Sequence, residues 1–260
     1  MERQFGSWQT AWTRFDDTVR ELVSRPTINS VCEVGAGSHP ALPLDLVQEL
    51  GLSYTLLDVS PEALAELPDG YVKVVGDITS SELAVDQRFD LVVSRFLAEH
   101  IADPEAFHRN VLELLVDGGV AFHFFTTFYA PPFIANRALP ESVSRAMVEL
   151  FQPDPEHRAP NEKYPAYYRW CRGPTRRQLE RFQQIGYGVE AYHGFFGTPL
   201  YYTRLKPVQQ LDEWLTATLL RHPVPLLTSF AQITLRKPSA RSRPSLQREA
   251  RPAALATDAR

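Results

Sequence analysis

Val31-Cys32-Glu33-Val34-Gly35-Ala36-Gly37-Ser38 decides how the rest of the chain reads. An apolar, β-branched run over 28–34 stops at Gly35, and Gly37 follows two residues later. Glycines at the end of a buried strand let backbone approach a ligand with no Cβ in the way. In open α/β sheets that is where ligands bind, beyond the carboxyl ends of the strands. Downstream, apolar runs and helical patterns alternate. Strands are predicted at 52–59, 71–75, 89–94 and 120–126, and helices at 42–50, 60–67 and 104–115. Ser60-Pro61 opens the second of these helices with a cap and a first-turn proline. Strands separated by helices of this length imply right-handed crossovers and a parallel sheet covered on both faces. Val116-Asp117-Gly118-Gly119 reads as a turn.

The residues around the glycines discriminate among nucleotide folds. A dinucleotide fingerprint wants a third glycine three residues after the second, and Pro40 stands there. Glu33 suits a cationic ligand and repels a pyrophosphate. No Gly-Lys-Ser/Thr follows, so a phosphate-binding P-loop is excluded. A nicotinamide-dependent oxidoreductase is therefore the weaker alternative, beside a non-catalytic relative that keeps the cofactor fold.

Outward from this core the pattern changes. Residues 1–24 read as an amphipathic helix, with Trp8, Trp12, Phe15, Val19 and Leu22 on one stripe and Pro26 ending it. Residues 127–174 form an insertion with a helix near 141–151 and a segment rich in Pro and Tyr. A helix at 175–185, a strand at 188–195, a second insertion at 197–227 holding a helix near 207–220, and a strand at 229–235 complete the body. The expected fold is α/β: a doubly wound, Rossmann-like, mostly parallel seven-stranded sheet with an N-terminal helix (1–27) and helical, aromatic lid insertions within a domain spanning 28–237. Residues 238–260 are rich in Ala, Pro, Ser and Arg and read as a disordered basic tail.

Charge and cysteine content set the context. From Lys237 onward there are six basic and two acidic residues, which leaves 21 basic against 29 acidic in the body. So acidic a surface is a poor partner for a nucleic-acid backbone. Two cysteines, Cys32 and Cys171, exclude a disulfide scaffold and suit a reducing, cytoplasmic setting. No secretory signal pattern and no run long enough for a membrane span are read. No cluster with metal-ligand spacing stands out.

Taken together the motifs resemble class I S-adenosylmethionine-dependent methyltransferases, particularly the family that includes ubiquinone and menaquinone biosynthesis methyltransferases. The match joins Glu33-Val34-Gly35-Ala36-Gly37 to Asp58 in Leu56-Leu57-Asp58-Val59-Ser60, and to Asp77 in Val75-Gly76-Asp77-Ile78. It continues through Asp90-Leu91-Val92-Val93-Ser94, Glu99-His100-Ile101-Ala102-Asp103-Pro104 and Asp117-Gly118-Gly119. It covers roughly 28–126 and departs from the family where His39 replaces a third glycine. The resemblance implies S-adenosylmethionine as cofactor. Glu33 would hold its methionyl end, with Gly35, Ala36 and Gly37 making room. Asp58 would accept from the ribose hydroxyls, Asp77 from the adenine amino group, and Val59 and Ile78 would pack on the ring. Ser94 would also belong to the cofactor-binding set.

A methyl acceptor must be aligned, shielded from water and relieved of a proton. His100, just past the fourth predicted strand, is the candidate base, since imidazole titrates near neutral pH. Tyr164, Tyr168, Trp170, Phe196 and Tyr201 offer stacking area for a small-molecule acceptor, and Arg169 and Arg172 could hold an anionic group on it. Ser94-Arg95-Phe96 stands where enzymes that methylate amino groups of nucleic-acid bases carry Asn/Asp-Pro-Pro-Tyr/Phe, which disfavours a base-modifying enzyme. The expectation is methyl transfer to a small molecule, with an oxygen acceptor favoured over nitrogen or carbon.

Overall fold

A computed structural model describes residues 2–83, 85–128, 165–198 and 206–239. Its strands are β1 (Glu2–Ser7), β2 (Ser30–Val34), β3 (Ser53–Asp58), β4 (Val72–Val75), β5 (Phe89–Arg95), β6 (Leu115–Thr126), β7 (Gly188–Phe196) and β8 (Phe230–Arg236). Its helices are α1 (Ala11–Val23), α2 (Leu44–Glu49), α3 (Pro61–Ala65), α4 (Pro104–Leu114), α5 (Arg176–Ile185) and α6 (Lys206–Arg221). All eight strands join one sheet in the order β1-β7-β8-β6-β5-β2-β3-β4. Only β8 runs antiparallel to its neighbours, β6 and β7. From β2 the chain winds first to β3 and β4, then back past β2 to β5 and β6. The crossover point therefore lies between β2 and β5, which pair in parallel through Val31–Leu91 to Glu33–Val93, and a crevice opens at their carboxyl ends.

The central strands are apolar because helices cover both faces. Val31, Leu56, Leu57, Leu91, Val92 and Val93 are all buried. The α1 stripe buries Phe15, Val19 and Leu22. Phe15 stacks on Phe122 at 5.4 Å and Phe124 at 5.5 Å, and Trp12 sets its edge against Phe124 and Phe230. Local signals fix the helix starts. Ser60 caps α3 through Ala63 N–H, and Asp103 caps α4 through the N–H groups of Glu105 and Ala106. Gly186, at φ +116°, ends α5 in the left-handed conformation.

Three expectations need correction. The sheet has eight strands rather than seven. The extra one comes from the N-terminal segment, where residues 2–7 are extended and only 11–23 form the helix. Strand β7 has an outer edge whose backbone groups need partners, and β1 supplies them in parallel from Glu2–Ala191 to Ser7–Phe196. Phe5 then stacks on Phe196 at 5.5 Å. Third, Val116 to Gly119 is not a free turn. It lies inside β6, where the β5 register slips between Phe89 and Leu91. Gly118 takes φ +80°, and Gly118 and Gly119 exchange backbone hydrogen bonds with Lys237. The helix expected near 141–151 and the tail from residue 240 lie outside the described residues. No described helix is long and apolar enough to cross a membrane.

The sheet face toward α4 holds buried titratable groups. Cys32 and Cys171 are free and buried, and burial pushes both thiols up, which keeps them unreactive. His123 on β6 is fully buried and shares a 2.8 Å hydrogen bond between its Nδ1 and Ser94 Oγ. His108 on α4 lies 5.4 Å from it, ring to ring. Burial lowers both imidazoles, His123 to about 3. Both are therefore neutral in the fold, whereas an unfolded imidazole gains a proton below about pH 6.5. Stability is full above that pH and falls as the pH drops from 6.5 toward 3. For His123 the loss is about 1.4 kcal/mol per pH unit. Urea unfolding at pH 7 and pH 5 checks this. The His123→Gln variant is expected to lose less stability between the two than the wild type does.

Candidate functional site

The crevice is framed by the loop after β2, the carboxyl ends of β3 and β4, and the turn after β5. Gly35 takes φ +72° and donates its N–H to Leu57 O at 2.8 Å. A Cβ there would stand 2.8 Å from Leu97 Cδ1, so this glycine lets the turn after β5 close onto the loop. Gly37 differs. It takes φ +54°, and no atom lies within 4 Å of the place a Cβ would occupy. The bare backbone of Gly37 thus borders open space, while Ala36 beside it is buried.

Asp58, at the end of β3, organises that space. Its Oδ2 accepts the Gly37 N–H and its Oδ1 the Ser60 N–H, both at 2.9 Å. A carboxylate offers about four lone-pair sites, so each oxygen can accept once more. Val59 beside it is 53% exposed, whereas Ile78 is only 4% exposed. Asp77 is exposed, and its Oδ1 accepts from the N–H and hydroxyl of Thr79 at 2.8 and 2.7 Å. Its Oδ2 has no partner among the described residues. Asn110 on α4 pins this turn by donating to the carbonyls of Ile78 and Ser80.

Glu33 lies under the loop rather than in the crevice, at 2% exposure. Its two oxygens accept the Ala41 N–H at 3.0 and 2.9 Å, and Oε2 also accepts the Tyr54 hydroxyl at 2.7 Å. Burial pushes its carboxyl up, while the Tyr54 and Ala41 hydrogen bonds and the Arg95 charge pull the other way. Ser94 is also turned from the crevice, with its hydroxyl on His123.

The acceptor-side candidates divide in the same way. His100 ends the single-turn helix Ala98–His100 and is partly exposed, with Nδ1 3.2 Å from Pro165 O. Its neighbour Glu99 is buried. The Glu99 Oε1 accepts the Thr126 hydroxyl at 2.8 Å, and its carbonyl accepts the N–H groups of Tyr167 and Tyr168 at 2.7 and 3.0 Å. Burial pushes the Glu99 carboxyl up. Residues 165–172 are thereby tied to the turn after β5. Tyr168 and Trp170 take φ +51° and +58°, a costly conformation for bulky residues. The Trp170 ring lies along His108 on α4, at 5.9 Å and 16°. Phe196 is fully buried against Phe5, on the far side of the sheet from β2. Tyr164 and Tyr201 lie outside the described residues.

Leu97, Tyr54 and Asn110 escaped the sequence reading. Each acts from one element on another, so no local pattern in the sequence marks it. Among the described residues no group of three or more His, Cys, Asp or Glu is placed to hold a metal ion.

The chain was compared with known proteins. A family model described as a methyltransferase domain matches residues 7–197. No curated protein matches. Solved structures with similar folds include a S-adenosylmethionine-dependent methyltransferase from Clostridium acetobutylicum, with TM-score 0.54, 10% identity, and 88% of this chain and 92% of that one covered. The [4+2]-cyclase SpnF gives TM-score 0.53 and 16% identity over 90% of this chain and 84% of its own. Phosphoethanolamine N-methyltransferase 2 of Haemonchus contortus, solved with S-adenosyl-L-methionine, gives TM-score 0.52 and 14% identity over 87% of this chain and 53% of its own. At these identities the likeness establishes the fold. With the family model spanning most of its length, this chain belongs to the methyltransferase-domain family.

Proposed function

We propose that the protein transfers a methyl group to a small-molecule acceptor, with an oxygen nucleophile favoured over nitrogen or carbon. The cofactor is S-adenosylmethionine. The observation that carries the reading is the pairing of Asp58 with the bare Gly37 backbone at the crossover point. A nucleoside fits there. Asp58 has acceptor capacity left for two ribose hydroxyls, Asp77 has an oxygen for the adenine amino group, and the exposed Val59 offers a ring face. Gly37 leaves room that a side chain would fill. Ile78 supports the Asp77 turn from the core, and Glu33 acts on the cofactor through the loop that it anchors.

Bound in this crevice, the cofactor supplies an electrophilic methyl group on a sulfonium. The chain's own part is to orient the acceptor, exclude water and take up its proton. His100 is the proposed base, because it is partly exposed at the crevice edge and leans on the Pro165 carbonyl. Tyr168 and the surrounding aromatic segment form the proposed acceptor wall, held to the same turn by Glu99. The motifs from Glu33 to Asp103 support the narrower likeness to ubiquinone and menaquinone biosynthesis methyltransferases. The second reading is a non-catalytic relative that keeps the cofactor fold, a fold shared with a protein whose named activity is a [4+2] cyclisation rather than methyl transfer.

Calorimetry with S-adenosylhomocysteine and NAD(P) tests the cofactor assignment. Binding of NAD(P) alone would overturn it. Asp58→Ala is expected to weaken S-adenosylhomocysteine by about 1.5–3 kcal/mol, the range for hydrogen bonds to a charged group. Unaltered affinity would take Asp58 out of the site. Turnover is read as S-adenosylhomocysteine release across a metabolite library. With a responding acceptor, His100→Ala should lower kcat by about 10²-fold or more while leaving cofactor affinity intact. Full kcat in that variant would return His100 to packing, and cofactor binding without release on any acceptor would favour the non-catalytic reading.

A further inference from the structure

Five arginines, Arg169, Arg172, Arg176, Arg177 and Arg181, stand within thirteen residues beside a single acid, Glu180, in a chain where acidic residues outnumber basic ones 31 to 27. Arg176 pairs with Glu180 at 2.9 Å. Arg169, Arg172 and Arg181 instead line an open pocket of about 390 Å³ between the start of α4 and α5, together with Trp170. Each guanidinium is already oriented. Arg169 Nη1 donates to Ala102 O at 2.8 Å, and Arg172 Nη1 to the carbonyls of Tyr168 and Cys171. Arg181 Nη1 donates to Gln178 Oε1 at 2.7 Å, with its guanidinium 5.2 Å over the Trp170 ring. A guanidinium has five donors, so Arg169 and Arg181 each keep most of theirs for a ligand.

Two carboxylates share the pocket, and one oxygen of each is engaged away from the pocket's arginines. Asp103 Oδ1 caps the N–H groups of Glu105 and Ala106. Glu105 Oε1 pairs with Arg109 at 2.6 Å. Among the described residues, neither Arg169 nor Arg181 meets a carboxylate. Partial burial and the nearby Arg177 and Arg172 charges lower the Arg181 guanidinium from its ordinary value. Planar, orientated guanidinium forks match phosphate oxygens better than point charges do.

We infer that this pocket is a subsite for the phosphate group of a small phosphomonoester, with Arg169 and Arg181 as its ion-pairing ligands and Trp170 alongside. A dianion answers several convergent guanidiniums better than a monoanion. A nucleic-acid strand is disfavoured by the acidic body. Arg169 also grips Ala102, two residues from His100, so the subsite would anchor the far end of the acceptor. That role rests on the methyltransferase reading, whereas the binding itself does not.

Phenyl phosphate titrated calorimetrically into the full chain at low salt tests the inference. Saturable binding is expected, weakened about tenfold in Arg169→Gln or Arg181→Gln and reduced by added salt. Phenol should not bind. No saturable heat, or wild-type affinity in either variant, would overturn the subsite, and benzoate binding as tightly as phenyl phosphate would overturn the phosphomonoester assignment. S-adenosylhomocysteine is titrated into the same samples. Its retention in the variants shows that they are folded, and its failure in the wild type would remove the methyltransferase reading while leaving the anion site standing.

Discussion

Glu33 sits beneath the first strand-to-helix bend and accepts two groups, the Ala41 N–H and the Tyr54 hydroxyl. A carboxylate buried this deeply is costly unless its oxygens are hydrogen-bonded, and these partners meet that need. The result is a fixed distance between the strand that enters the bend and the backbone that leaves it. Gly35 and Gly37 are positioned by that span, Leu97 closes against Gly35, and Asp58 takes the Gly37 N–H. The crevice is therefore rigid at its floor before any ligand arrives, which is the form of preorganisation that favours binding.

Around this floor the acidic residues divide by depth. Glu33 and Glu99 are buried and structural in their contacts, each tying two elements together. Asp58 lies at the boundary, and Asp77 faces solvent. Only the outer pair offers its acceptor capacity at the surface of the crevice. The two Glu-centred knots thus set the positions from which the two aspartates act. The loop is held from below, and the aromatic segment 165–172 is held from the side through the Glu99 carbonyl.

Much of the architecture was legible because the signals were local. Alternating strands and helices, the Ser60 and Asp103 caps and the glycines after β2 are each written within a few residues. Strand β1 was missed because nothing in residues 2–7 demands extension until the edge of β7 is known to need a partner. The bulge at Gly118 read as a turn because its hydrogen bonds go to Lys237, far along the chain. Site residues followed the same rule. Asp58 and Asp77 stand at strand ends, where spacing is informative. The inward turn of Glu33 depends on Tyr54, and the burial of Phe196 depends on Phe5, so neither could be read from its own neighbourhood. Ser94 faces His123 because alternate strand residues point to opposite faces, and the phase of β5 relative to the helices was not fixed by sequence.

The parallel seam between β1 and β7 bears on how the molecule folds. Its partners are far apart along the chain, Glu2 opposite Ala191 and Ser7 opposite Phe196, and the aromatic stripe of α1 packs on β6 and β8. Trp12 covers Phe124 and Phe230 together only once β6 and β8 lie side by side. Pairings of such sequence separation cost loop-closure entropy before they reward it. Closure of this edge of the sheet is thus a slow, non-local step of folding.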